Sequence, residues 1–116
     1  MAHEVPGFVY TMRSSGDIRQ YRAVIIDGAA VVEVTQGDEV IDGVAQMPAE
    51  STNPEAIRIM KDGITFAVAG DTISAGDKVI TDDQGRFVPA SYADDNIAGT
   101  ALSGGAVGEE IAVLLR

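Results

Sequence analysis

The sequence has no cysteine, no tryptophan and a single histidine, and only eight of its 116 residues are lysine or arginine. The missing thiols exclude disulfides, thiolate metal sites and cysteine nucleophiles, and they leave the redox compartment open. The histidine, His3, stands in the N-terminal segment, where nothing fixed would orient it as a general base or a ligand. Long apolar runs are missing as well. The run from Ala23 to Ile26 is far too short to span a bilayer. The opening MAHEVPGFVY lacks a basic start followed by an apolar stretch, so no signal peptide is expected. Against the eight basic residues stand eighteen acidic ones, a formal charge of −10 that repels phosphate backbones and anionic lipid. Neither nucleic acid nor a membrane surface is expected as a direct partner.

What is present points to sheet. Hydrophobic residues make up 46% of the chain but aromatics only 5%, so the apolar material is mainly valine, isoleucine and alanine. A chain of this length suits one domain that buries roughly 65% of its unfolded surface. Residues 1–20, broken by Pro6, Gly7 and Ser14 to Asp17, are read as an extended N-terminal arm with a short apolar patch at Phe8, Val9 and Tyr10. An ordinary first strand or a frayed end accounts for that segment equally well. Residues 21–116 are read as a single β-rich domain.

Within it, β-branched runs at 21–27 and 29–34 flank the turn signal Asp27-Gly28, and 40–47 is apolar again. A polar loop with two prolines covers 48–55. Period-two alternation on both sides of Asp62-Gly63 predicts a hairpin over 56–70, and the last third repeats the scheme. The best candidate for a helical turn is 91–96. About eight short strands, with turns every eight to twelve residues or so, predict an all-β small barrel or sandwich. GDEVID at 37–42 and GDKVIT at 76–81 echo one another, a recurrent turn-into-strand device rather than proof of duplication.

No motif carries catalysis. Asp82 and Asp83 sit in a hairpin, where carboxylates cap their own backbone, and the spacing of a calcium loop is absent. Asp94, Asp95, Glu109 and Glu110 read as solvated turns. The serines at 14, 15, 51, 74, 91 and 103 stand in no nucleophile elbow. Glycine-rich 103–110 precedes a strand and lacks the lysine of a phosphate loop. A lipoyl or biotinyl carrier hairpin would need a lysine where Pro48 follows Met47. A hydrolase pairing Asp82 with Asp95 would need a cleft holding the acids about 5 to 10 Å apart, which turn acids on so small a chain rarely provide. The expectation is a non-enzyme without catalytic, cofactor, metal or small-molecule site.

The succession GVAQMPA, IMKDGITFAVAGDTISAGDKVITDDQGRFVPA and IAGTALSGGAVGEEIAVLLR resembles the small capsid decoration, or head cement, proteins of tailed bacteriophages. The matching positions are Ile73, Ala75, Gly76, Asp77, Val79, Asp82, Gly85, Gly99, Ala101, Gly108, Glu109, Ile111, Val113 and Leu115. The likeness covers roughly residues 37–116 and leaves out the N-terminal segment. It implies a compact β domain without enzymatic activity, bound to the outer surface of an expanded phage capsid as a homotrimer. Its partner would be the major capsid protein, and its place the virion. Val5, Phe8, Val9 and Tyr10 are the candidate capsid-binding residues, anchors of a segment pairing with a capsid strand. The final strand, Ile111 to Leu115, is core or trimer contact. The alternative is another β-rich virion module, such as a tail-tube or fibre-base component.

Overall fold

The computed structural model describes residues 5–50, 56–91 and 96–115. Eleven strands lie among them and no helix: β1 (Val5–Pro6), β2 (Val9–Arg13), β3 (Ala23–Asp27), β4 (Ala30–Glu33), β5 (Gly43–Ala45), β6 (Ala56–Met60), β7 (Gly63–Val68), β8 (Lys78–Thr81), β9 (Phe87–Pro89), β10 (Gly99–Ala101) and β11 (Glu110–Leu115). They form two antiparallel sheets, a six-stranded one in the order β1-β7-β11-β10-β8-β9 and a five-stranded one in the order β2-β6-β5-β3-β4. The all-β expectation holds, and of its two forms the sandwich-like one fits. Each sheet curls until the residue after β2 or β7 meets β4 or β9 at a single parallel bridge, Ser14 with Val31 in one and Ala69 with Phe87 in the other. Neither closes into a barrel.

Local turn chemistry explains most of the hairpins. Gly28 at φ 68° lets β3 turn back on β4, and Gly85 at φ 72° does so between β8 and β9. Asp82 fixes the second turn, its Oδ1 accepting from the backbone N–H of Gln84 and Arg86 at 2.9 Å each, while its Oδ2 pairs with Arg86 Nε at 2.8 Å.

Two expectations need correction. Residues 56–70 are not a hairpin: β6 pairs with β2 and β5, β7 with β1 and β11, and Lys61–Asp62 crosses from one sheet to the other. The Asp62 carboxylate does not close its own turn, because its Oδ1 accepts the Phe8 N–H at 2.7 Å. Within the segment read as an extended arm, residues 1–20, Val5–Pro6 is a strand of the six-stranded sheet and Val9–Arg13 a strand of the five-stranded one. Alternation of exposed Val9, Thr11 and Arg13 with half-buried Tyr10 and Met12 gives β2 a face to lay on the core. The expected turn at 91–96 and the loop at 48–55 fall largely outside the described residues.

The two sheets are the same five-stranded unit twice. β2-β6-β5-β3-β4 and β7-β11-β10-β8-β9 share one strand order, and a shift of about 55 residues carries one set of registers onto the other. Tyr10↔Ile59 becomes Thr65↔Val113, Ala23↔Val44 becomes Lys78↔Thr100, and Val24↔Glu33 becomes Val79↔Pro89. The isolated bridge of Ile18 with Ala49 becomes Ile73 with Gly105. GDEVID and GDKVIT are not the repeating pair, since the first lies in the β4–β5 connection while the second leads into β8.

Packing follows the repeat. One core cluster contains Ile18, Val24, Val31, Ala45, Ile57 and Ile59, and their counterparts Ile73, Val79, Phe87, Ala101, Ile111 and Val113 are buried in the other. The second cluster also takes in Ala23, Val34, Val44 and Met60 from the opposite face of the five-stranded sheet, which is how the two units are joined. Ile111, Val113 and Leu115 are therefore core, whereas Leu114 is exposed.

Candidate functional site

The surface around β2 gathers exposed apolar side chains, a ring pair and an open groove. Phe8 is 57% exposed and Val9 36%. The Phe8 and Tyr10 rings stack with centroids 5.8 Å apart, as expected for alternate residues on one side of a strand. Tyr10 is held further by its hydroxyl, which donates to the Asp42 carbonyl oxygen at 2.8 Å. Burial first, and the nearby Asp42 carboxylate second, push the Tyr10 hydroxyl above its ordinary pKa. The Lys61 N–H donates to the Phe8 carbonyl oxygen at 2.8 Å, completing the junction that Asp62 begins.

Of the four residues singled out from the sequence, Phe8 and Tyr10 thus form one ordered, partly apolar patch, and Val9 is exposed on the other face of the strand. Val5 is placed apart from them, in β1 against Ile64 of β7, and its side chain lies outside the described part of the structure. Beside the patch runs an open groove of about 330 Å³ lined by Glu39, Val40, Ile41, Lys61, Ile97 and Leu115. Lys61 and the 39–42 segment belong to both features. Val40, 72% exposed, stands at the rim. Its loop is anchored from the other repeat unit, because Asn96 donates from its backbone N–H to Asp38 Oδ1 at 3.1 Å and from Nδ2 to the Asp38 carbonyl oxygen at 2.7 Å. Sequence reasoning did not reach Val40, Lys61 or Ile97, for they stand far apart in the chain and only the packing of the units unites them.

The candidate acids are dispersed or committed. Asp82 is occupied by its turn and Arg86, and Asp94, Asp95 and His3 lie outside the described residues. Among the described residues, no group of three histidine or acidic side chains is arranged to hold a metal ion. An apolar patch flanked by a shallow mixed groove is a surface that another protein can cover.

The fold is one already seen in a phage particle component. The chain superposes with a TM-score of 0.77 on the N base of the head fibre gp8.5 of bacteriophage phi29, over 94% of this chain and 93% of that one, with 18% of residues identical. The likeness takes in both repeat units and shows a shared fold. No protein-family profile and no curated protein matches the sequence.

Proposed function

We propose that this protein is a structural component of a phage virion that binds the outer surface of the expanded capsid and cements neighbouring capsid subunits against internal DNA pressure. The observation that carries the proposal is the fold shared over nearly the full length of both chains with a head-fibre base. The resemblance of residues 37–116 to head cement proteins points the same way. In this reading Phe8, Val9 and Tyr10 dock against the major capsid protein, Val5 holds β1 beside them, and the Val40 rim extends the contact. Trimers on the shell would multiply modest contacts by avidity. The strongly acidic remainder of the surface would face solvent, keeping a strand-rich protein soluble at high local density. A fibre-base role is the second reading, favoured by the nature of the phi29 neighbour.

Cosedimentation with expanded, undecorated shells tests the reading. The expected result is saturable binding at a fixed fraction of capsid subunits, weaker on the unexpanded precursor, and weakened at least tenfold by Phe8→Ser together with Val40→Ser. No binding to either shell would overturn it.

A further inference from the structure

The repeat shows what is missing from one unit. In the second unit the outer edge of β7 is covered by β1, which pairs antiparallel with Val5 opposite Ile64. The register that equates β2 with β7 makes Val9 the counterpart of Ile64, yet among the described residues no strand pairs with the outer edge of β2 ahead of its C-terminal end, where β4 meets it at the bridge of Ser14 with Val31. The backbone directions agree. The Phe8 carbonyl accepts from Lys61 on the β6 side, and the Ser15 N–H donates to the Val31 carbonyl at 2.9 Å on the other side. By alternation the N–H and C=O groups of Val9 and Thr11 point out of the sheet edge ahead of the place where β4 meets it. In the second unit Gly70 donates to the Phe87 carbonyl at 2.8 Å in the place of Ser15, so the equivalence holds at both ends of the edge. β4 and β9 are also edge strands, but each is met on its outer side by the bridge from Ser14 or Ala69, alike in both units.

The side chains say what would fit. On one face an added strand would lie beside Phe8, Tyr10 and Met12, which are apolar and incompletely covered. On the other it would lie beside Val9, Thr11 and Arg13, and Thr11 stands directly opposite Arg58. Arg13 and Arg58 are both exposed, and neither is in an ion pair among the described residues. Two of the eight basic residues of a chain with net charge −10 therefore share the outer face of an open edge. We infer that the outer edge of β2 is a strand-acceptor site for an extended segment of another protein, running antiparallel to β2, with side chains that alternate apolar and acidic. Main-chain bonds to Val9 and Thr11 supply affinity, and the two arginines select the acidic face. This site deepens the docking reading above, because it rests on this edge facing another protein, though not on that protein being a capsid subunit.

The test uses the full chain and two capped heptapeptides, one alternating valine with glutamate and the other valine with lysine, followed by amide hydrogen exchange and sedimentation. The glutamate peptide is expected to slow exchange at Val9 and Thr11 at least tenfold, and the lysine peptide is not. Thr11→Pro removes an outward-facing N–H without touching the β6 ladder, so it is expected to abolish the slowing while the circular dichroism stays unchanged. Should that variant fail to fold, Arg13→Glu with Arg58→Glu provides a separate criterion: preference is expected to switch to the lysine peptide. Equal effects of both peptides, protection confined to other edges, or no slowing would overturn the proposal. Protection that rises with protein concentration alone, alongside a dimer in sedimentation, would overturn it in favour of a second copy. Capsid binding by the wild-type chain without protection by the glutamate peptide would sink the edge site and leave the virion reading intact; peptide protection without capsid binding would do the reverse.

Discussion

At the scale of single residues, the repeat exposes constraints that one copy would hide. Gly43 and Gly99 occupy equivalent places, and a Cβ at either would strike the neighbouring strand at the backbone carbonyl oxygen, of Met60 in one unit and of Leu114 in the other. Gly43→Ala and Gly99→Ala are each expected to cost about 1 to 3 kcal/mol, read as a lower urea midpoint with unchanged slope. Tyr10 ties β2 to the 39–42 loop through its hydroxyl. Tyr10→Phe is expected to lose about 1 kcal/mol. Because folding raises the Tyr10 pKa above its ordinary 10.0, the folded state favours the protonated hydroxyl. That stabilisation is complete below about pH 10 and is lost as pH rises through the folded value, so the stability gap between wild type and Tyr10→Phe should narrow in that window. An unchanged gap in urea titrations across it would contradict the assignment.

At the scale of elements, strands were legible wherever a β-branched run stood beside a turn with its own chemistry. Asp27-Gly28 and Asp82 to Gly85 announced their hairpins because the backbone needs a left-handed residue there, and Gly28 and Gly85 supply it. Asp62-Gly63 carries the same letters and marks a crossover, since the partner of its carboxylate, Phe8, is fifty-four residues away. No window centred on the turn contains that information. The N-terminal strands were hidden for a related reason: β2 alternates polar and apolar residues around one tyrosine and one methionine, and its pairing partner β6 is distant in the chain. The repeat itself was not legible, because the units preserve interior positions such as Ile18/Ile73 and Ala45/Ala101 while changing nearly every turn letter. Of the docking patch, Phe8 to Tyr10 could be read from exposed-type apolar residues in sequence, whereas Val40, Lys61 and Ile97 depend on how the units pack. Asp62→Ala, which frees the Phe8 N–H, is expected to cost about 1 kcal/mol and to speed amide exchange at Phe8 before the rest of β2.

At the scale of the whole molecule, two equivalent units share one set of buried side chains. Ala23, Val34, Val44 and Met60 pack into the core of the other unit, so neither unit encloses all of its own apolar surface. Unfolding is therefore expected as one calorimetric transition, and Ile57→Ala and Ile111→Ala, at equivalent sites, should each lower that same transition by about 2 to 5 kcal/mol. Two resolved transitions would show the units to be independent. In the proposed reading, this doubly built β module would hold neighbouring capsid subunits in position under load. The most direct test is heat-induced DNA release from filled particles that lack this protein, with and without its addition. Cementing requires that saturating addition raise the release temperature and that Phe8→Ser with Val40→Ser abolish the gain. Saturable binding that leaves the release temperature unchanged would contradict it and turn the account toward a fibre base.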